Sequence, residues 1–222
     1  GFVLTGAKVA VPAGLIADAT VVPARLDGEP ALFLVESAAD GVTRIPLQTT
    51  AASPDSNLEL ADAPGTLIAT GCEAVAWAWQ RALATQCALM SGGAATATAL
   101  TAGYTKERKQ FDAPIATFQA VAHRAADAFV DTEGIRLTAA QALWRLEAGM
   151  PAAAEVVIAK YWAADAGQRV VHAAMHLHGG MGVDRDYPLH RYFLQMKEHE
   201  LQLGGTSRSL VTLGKLIAAG EA

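Results

Sequence analysis

The stretch TFQAVAHRAADAF, Thr117–Phe129, carries the periodicity that decides the fold. Apolar residues recur in it at intervals of three and four residues, which places them on one face of an α-helix. They are Phe118, Val121, Ala122, Ala125 and Phe129. The pattern predicts a long helix over 117–148 and a largely helical C-terminal part of the chain.

The alanine-rich sequence that follows Pro64 keeps a period near 3.6 residues. Many of the residues that line its helical segments are small, so facing helices can approach closely, as they do in an antiparallel bundle. The pattern predicts five helices, at Gly71–Ala102, Thr117–Ala148, Ala152–His178, His190–Leu203 and Thr206–Ala219. We therefore predict a C-terminal helical bundle domain over 67–222.

The first 66 residues have a different pattern, with short β-type runs between Gly, Pro and Asp turn residues. The runs are GFVLTG, KVAVPA, ATVVPARL and PALFLVES. The apolar N-terminus fits a strand pair better than a signal peptide, because its residues alternate and no charged leader precedes them. The predicted fold class is α+β, with a small antiparallel β-domain at 1–66 followed by the helical bundle.

Composition excludes several classes of function. The net charge is −5 and no basic cluster appears, so nucleic acid lacks its electrostatic attraction. No run of eighteen apolar residues exists, so we predict no membrane span. The two cysteines, Cys72 and Cys87, are too few for a disulfide framework, which favours a reduced, cytoplasmic location.

Three stretches of the helical part offer contacts to an anion. The first, Gly103–Asp127, contains the basic residues Lys106, Arg108 and Lys109. The second, HLHGGMGVDRDYPLHRYF at His176–Phe193, is rich in glycine, and the third, LGGTSRSL at Leu203–Leu210, has hydroxyl residues at a helix start. Together they suggest a ligand that carries a diphosphate.

In order and spacing, YTKERKQFDAPIATFQAV, HLHGGMGVDRDYPLHRYF and GGTSRSL resemble the C-terminal bundle of the acyl-CoA dehydrogenase family. GFVLTGAKVAVPAG likewise resembles the start of that family's middle β-domain, so the resemblance covers nearly the whole chain. It implies the family fold without the helical domain that normally precedes the β-domain. It also implies FAD, an acyl-CoA substrate that is dehydrogenated between Cα and Cβ, and an electron-transfer flavoprotein as electron acceptor.

The resemblance further implies which residues contact FAD. In the family, a dimer partner holds the adenine and diphosphate half of the cofactor, and Arg108 would meet the diphosphate with its planar, charged fork. The glycines after His176 would let the backbone approach closely. The family usually has glutamine at His176, and an imidazole can still form a hydrogen bond there. The implied contacts are Arg108, Gln110, Phe111, Phe118, Gln119, His176, Gly179, Gly180, Thr206, Ser207 and Arg208.

The same comparison implies that the chain lacks a catalytic base. The usual base is the glutamate of an EGT triplet, and this chain reads Gly204-Gly205-Thr206. Other members place the base on an earlier helix, where this chain has Ala82. A displaced carboxylate at Glu200 or Glu73 remains an alternative, although a solvated surface carboxylate is the commoner role for such residues.

The β-domain shows a second departure from the family. Where the family has Trp-x-Thr beside the flavin ring, this chain reads Ala10-Val11-Pro12, which offers neither the aromatic ring nor the hydroxyl. Loss of the base and of the ring site, with the cofactor contacts retained, resembles the base-lacking subunit of bacterial α2β2 acyl-CoA dehydrogenases, including those that act on steroid side chains. This resemblance implies a homologous partner subunit. A flavin-dependent monooxygenase of the same fold, a complete dehydrogenase with a displaced base, and a flavin-free scaffold remain alternatives.

A metal site is the remaining hypothesis for the second stretch. His172 and His176 are four residues apart and His178 follows, but a fourth ligand would have to come from elsewhere and the cysteines lie far away in sequence. We therefore predict no metal. The segment HGGMG is also no dinucleotide fingerprint of the Rossmann type, because it follows a predicted helix and not a strand.

Overall fold

The computed structural model describes residues 1–221. The chain separates into two compact units, Gly1–Trp79 and Gln80–Ala222. The first contains all five strands of a sheet, and the second is helical apart from one short hairpin. This arrangement confirms the α+β class. The division into domains at 66/67 remains a prediction, and the last strand of the sheet continues to Thr70.

The sheet of the first unit is antiparallel and curls around its longest strand, β5. Its strands are β1 (Phe2–Val11), β2 (Ala19–Leu26), β3 (Glu29–Glu36), β4 (Val42–Pro46) and β5 (Ser56–Thr70). The first part of β5 pairs with both β1 and β4, and its last part pairs with β3. One strand therefore joins both halves of the sheet, and the core that it encloses consists of Leu4, Val22, Ala31, Phe33, Val35, Leu60 and Ala63.

Two details of this unit differ from the sequence prediction. The strand pair predicted at the N-terminus is a single strand, because Gly6–Lys8 pairs with β5 instead of turning. A register shift between Leu4 and Gly6 absorbs the irregularity there. The second difference is β5 itself, which the sequence pattern did not predict. Strand β5 includes Pro64, which pairs with Val3 of β1. No residue of β3 or β4 pairs with Pro64, so one side of the strand is unpaired at this proline.

The helical part confirms the five predicted helices, with changed ends, and adds one short helix, Gly180–Val183, that was not predicted. The helices are α1 (Cys72–Glu107), α2 (Gln119–Glu147), α3 (Ala153–His178), α4 (Gly180–Val183), α5 (Leu189–Leu201) and α6 (Thr206–Ala219). Helix α1 continues past Ala102, its predicted end, so Tyr104 lies within the helix. The hydroxyl of Thr105 donates to the carbonyl of Thr101 at 2.9 Å, so this side chain bonds within the helix.

Helix α2 buries a face other than the one that its sequence suggested. The buried residues are Ala128, Thr132, Ile135, Ala139 and Ala142, which recur at helical spacing. Phe118 and Phe129, in contrast, are 36% and 57% exposed. The periodicity therefore predicted the helix correctly, but the apolar face that it marks is not the face that α2 buries. The inner face is mainly alanine, which lets α3 pack closely against α2.

Helix α3 lies at the centre of the bundle. It contacts α2, α5 and α6, and most of its side chains are buried. The bundle core is built mainly from alanine and valine, with larger side chains at Leu83, Met90, Ile135, Leu189 and Met196. Over residues 1–221, we find no helix with the length and apolar character needed to cross a membrane.

Candidate functional site

Arg108 lies where α1 passes into a small hairpin. The hairpin pairs β6 (Lys109–Gln110) with β7 (Ala113–Pro114). The backbone N–H of Arg108 donates to the carbonyl of Tyr104, and its carbonyl accepts from the N–H of Ile115, both at 2.8 Å. The backbone of Arg108 is thus fixed from two sides, while its side chain is exposed. A guanidinium held in this way is available to an anionic ligand.

The tip of the hairpin presents an aromatic side chain to solvent. Phe111 is 90% exposed, and its backbone has a positive φ of 52°. Its ring contacts the ring of Phe118 edge to face, with the centroids 6.2 Å apart. Gln110 and Gln119 are exposed beside them. An aromatic ring so exposed provides apolar area for a ligand or a partner chain to cover.

The end of α3 forms the second part of the site. Gly179 ends the helix with a φ of +58°, and its N–H donates to the carbonyls of Met175 and His176 at 3.1 and 3.2 Å. A Cβ atom added at Gly180 would meet no other atom within 4 Å. His176 is exposed in the last turn of the helix. A ligand can therefore approach the backbone here from open space.

A group of three aromatic rings in mutual contact joins these two parts. The ring of Tyr104 stacks on that of buried His178, with the centroids 4.3 Å apart. His178 Nε2 lies 3.2 Å from the hydroxyl of Tyr187, and its Nδ1 lies 2.8 Å from the carbonyl of Ala174. Since Tyr104 lies one helical turn before Arg108, the stack brings the hairpin to the end of α3. The residues so assembled, the Arg108 cluster, are Arg108, Gln110, Phe111, Phe118, Gln119, His176, Gly179 and Gly180.

The sequence pattern did not predict the contacts among these rings. It indicated His178 only as a possible metal ligand, and it indicated no role for either tyrosine. Tyr104 stands four residues before Arg108 and Tyr187 nine residues after His178. The i, i+4 spacing could have indicated that Tyr104 shares a face with Arg108. Nothing in the sequence indicated that Tyr187 returns to His178.

Burial lowers the pKa of His178 below its ordinary value of 6.5. The folded chain therefore holds a neutral imidazole, while the unfolded chain takes up a proton near pH 6.5. Between these two pKa values the unfolded state binds more protons, so the stability should fall as the pH falls below about 6.5. We expect the free energy of unfolding, measured with urea at several pH values, to decrease toward acid.

A matched variant isolates this effect from the other histidines. In His178→Asn the side-chain amide can still donate to the carbonyl of Ala174, but it does not titrate. The acid-induced loss of stability should be smaller in the variant than in the wild type. Equal pH dependence in both proteins would contradict the role assigned to His178.

The start of α6 holds the remaining candidate residues, Thr206, Ser207 and Arg208. Gly205 precedes them with an extended backbone, and no side chain caps the helix. The first N–H groups of such a helix have no partner within it and attract anions. Immediately before, Gly204 has a φ of +105°.

These residues lie at the other end of the bundle from the Tyr104–His178 stack. Lys160 Nζ donates to Gln86 Oε1 at 2.7 Å, and Gln86 Nε2 donates to Gln202 Oε1 at 3.1 Å. Gln86 precedes Tyr104, and Lys160 precedes His178, by eighteen residues of continuous helix, which is about 27 Å. The stretches Gly103–Asp127 and His176–Phe193 therefore meet at one end of the bundle, whereas Leu203–Leu210 begins at the other end. The single diphosphate site expected from all three stretches is thus divided into two.

The residues of the Arg108 cluster fit a dinucleotide cofactor such as FAD. The cluster combines an exposed guanidinium on a fixed backbone, exposed amide side chains, an exposed phenyl ring and open space over glycine backbone. Arg108 makes no side-chain hydrogen bond or ion pair with any other residue in the described range 1–221, so its charge is available. Charged and planar groups of this kind recognise a diphosphate and an aromatic base.

Neither of the two positions at which the sequence resemblance implies a base carries a carboxylate. Gly204 and Ala82 stand there, and Ala82 is exposed on α1. Glu200, the nearer alternative, forms an ion pair with Lys197 at 2.8 Å. Glu73, the other alternative, lies in the first turn of α1. Among residues 1–221, no three His, Cys, Asp or Glu side chains are grouped as a metal ion requires.

Comparison with known proteins gives one consistent family. The family model of the acyl-CoA dehydrogenase C-terminal domain matches residues 69–213. Acyl-CoA dehydrogenase FadE27 of Mycobacterium tuberculosis is 40% identical over 98% of the chain, and FadE28 of the same organism is 34% identical over 95%. The chain spans 61% of the length of each of these two relatives.

Solved structures agree with this result. The ChsE4-ChsE5 complex from Mycobacterium tuberculosis contains a chain with 41% identity and a TM-score of 0.91, over 97% of this chain and 60% of that one. A variant of the Tcur3481-Tcur3483 steroid acyl-CoA dehydrogenase matches with 41% identity and a TM-score of 0.92, over 98% and 60%. Both similar structures contain two different named proteins.

Proposed function

The chain belongs to the acyl-CoA dehydrogenase family, and we propose that it is the base-lacking subunit of a heteromeric enzyme, contributing FAD contacts at a subunit interface. Its partner would be a homologous subunit that supplies the catalytic glutamate. The substrate would be a CoA thioester with a fatty acyl or steroid-derived side chain. An electron-transfer flavoprotein would be the electron acceptor.

The observation that carries this proposal is the contrast between the two parts of the site. The Arg108 cluster is assembled and exposed, while the base position is Gly204, which cannot accept a proton. An exposed surface that can contact FAD, without a base, suits a subunit that contributes cofactor contacts to a catalytic partner subunit. The similar two-protein structures, one of them a steroid acyl-CoA dehydrogenase, support the same assignment.

The division of chemical work follows from this assignment. When bound, FAD would supply the redox chemistry, as the acceptor for a hydride from the β-carbon of the thioester. The partner's carboxylate would take the α-proton. Arg108 would neutralise the diphosphate of that FAD, and the backbone at Gly179–Gly180 would approach the cofactor closely. Phe111 would cover apolar surface beside it, and together these residues would hold the cofactor in place for the partner.

Absorption spectra test the proposal directly. The chain should be purified alone and after co-expression with a homologous subunit that carries the EGT triplet. We expect flavin bands in the co-purified complex and none, or only a small fraction, in the chain alone. Turnover of a CoA thioester should likewise require both subunits.

The other outcomes identify the alternatives. Stoichiometric flavin and dehydrogenase activity in the chain alone would favour a displaced base such as Glu200. Stoichiometric flavin in the chain alone, with oxygen-dependent substrate hydroxylation, would favour a monooxygenase. A complex that contains no flavin would favour the hypothesis of a flavin-free scaffold. Each of these results would reject the shared interfacial site.

A further inference from the structure

A buried lysine anchors a chain of hydrogen bonds next to the vacant base position. Lys160 is 1% exposed, and its Nζ donates to Gln86 Oε1 at 2.7 Å and to the carbonyl of His199 at 2.6 Å. Gln86 in turn donates to Gln202 Oε1, and Gln202 Nε2 donates to Glu198 Oε1 at 3.2 Å. We call these five residues, Lys160, Gln86, Gln202, His199 and Glu198, the Lys160 hub.

Three hydrogen bonds of the hub run in one direction, from Lys160 through Gln86 and Gln202 to Glu198. Each amide accepts with its oxygen and donates with its nitrogen, so both glutamines are satisfied on both sides. His199 Nδ1 lies 3.0 Å from Gln202 Oε1 and adds a further contact to the same oxygen. One oxygen of Glu198 takes part in the hub, and the other, Oε2, is buried without a hydrogen-bond partner. The bonds of the two glutamines favour a single arrangement, because breaking one of them would leave a further buried group without a partner.

Burial has the expected effect on the ionisable groups of the hub. It lowers the pKa of Lys160 to about 8 and raises the pKa of the neighbouring Cys87 thiol to about 12. The thiol is therefore neutral near pH 7. The charge of the lysine is balanced mainly by the two oxygen acceptors and, at longer range, by Glu200.

The hub holds the N-terminal side of the loop that carries Gly204. Through the His199 carbonyl it fixes the last turn of α5, and through Gln202 it ties the start of the loop to α1. The loop then passes Leu203 at a φ of 58° and Gly204 at a φ of 105° before α6 begins. A Cβ atom at 204 would lie 2.6 Å from Cδ of Arg208.

We propose that the Lys160 hub locks this loop in one conformation that accepts only glycine at 204. On this proposal the base position of the chain is closed by the fold, in addition to lacking a glutamate. Lys160, Gln86 and Gln202 act as positioning residues, since none of them touches residue 204. That 204 is the base position rests on the proposed function; the lock itself is a property of the chain alone.

A double-mutant cycle between Lys160 and Gly204 tests the lock. Hydrogen exchange would be measured by mass spectrometry in peptides covering 199–210, for the wild type, Lys160→Met, Gly204→Ala and the double variant. In the locked loop, Gly204→Ala should speed exchange roughly ten-fold, because alanine is strained at this φ. In the Lys160→Met background the same change should add little, because the loop is already released. Independent, multiplicative effects would overturn the proposal.

Matched controls separate the lock from a general loss of stability. Gly205→Ala should have little effect, since Gly205 has a φ of −87° and a Cβ there would make only a 3.5 Å contact. Lys215→Met removes an exposed lysine of α6 outside the measured segment and should leave exchange in 199–210 unchanged. If Lys160→Met fails to fold, Gln202→Leu replaces it in the double-mutant cycle with Gly204→Ala.

The cycle gives its answer whether or not the chain binds flavin. A complex without flavin would reject the proposed function and would leave the exchange result valid. Conversely, a flavin-containing complex with no coupling between residues 160 and 204 would reject the lock alone. As a functional readout, Gly204→Glu in the chain alone should give no thioester turnover, and robust turnover from that change would overturn the closed base position.

Discussion

Arg108→Ala should weaken FAD retention by the complex of this chain with its homologous partner by about 10- to 100-fold, the range expected when one charged hydrogen bond to a diphosphate is lost. The guanidinium is exposed and its backbone is fixed by Tyr104 and Ile115, so the variant removes a charge without disturbing the hairpin. FAD release can be followed by flavin fluorescence during dilution of the complex.

Arg25→Ala is the matched control for this experiment. Arg25 is an exposed arginine whose side chain bonds only to the carbonyl of Gly28 in its own hairpin, among the contacts defined within residues 1–221. Its loss should leave FAD retention unchanged. Equal retention in Arg108→Ala and the wild type would remove Arg108 from the cofactor site. Salt should weaken retention in the wild type more than in Arg108→Ala, because ions screen an exposed charge contact.

The periodicity of the sequence predicted the helices of this chain well, but it did not identify the faces that they bury. In α2 the apolar face that contains Phe129 is largely exposed, whereas the alanines and Ile135 of another face are buried. Periodicity reports that one side of a helix is apolar. It does not distinguish an apolar side that packs within the chain from one that is left exposed.

The strands were harder to predict than the helices. Strand β5 pairs with three other strands, two of which, β1 and β3, are distant in sequence, and its proline would ordinarily argue against a strand. Local propensity contains no information about such partners. The sequence prediction therefore found the class of the first unit and only part of its sheet.

The candidate site shows the same limit at the level of single residues. The sequence motifs indicated Arg108 and the glycines near His176, because their residue types suit a diphosphate. They did not indicate that Tyr104 and His178 bring them together, nor that Lys160 and Gln86 hold the third motif about 27 Å away along the helices. A buried lysine in the apolar stretch VVIAKYWAA was a visible signal, since lysine is almost never fully buried without partners.

Gly180→Ala is expected to reduce FAD retention by the complex to a similar degree, by a different mechanism. A methyl group at 180 meets no atom of the chain within 4 Å, so the folded chain itself tolerates it. If the cofactor lies against this backbone, the methyl group occupies space that the cofactor needs. Overpacking of this kind costs about 1–3 kcal/mol, or roughly 5- to 150-fold in affinity. Equilibrium binding of FAD to the partner-bound chain measures it.

Gly214→Ala provides the matched comparison, because Gly214 lies in α6 and a Cβ there also meets no atom within 4 Å. Both variants should keep or slightly raise the melting temperature, since alanine is the better helix former. Only Gly180→Ala should lose FAD. That combination, intact stability with weakened binding, would locate the cofactor at the end of α3, because an altered fold would lower both quantities. Equal FAD binding by the two variants would contradict the approach of the cofactor to Gly180 and would leave Arg108 as a contact made from the hairpin alone.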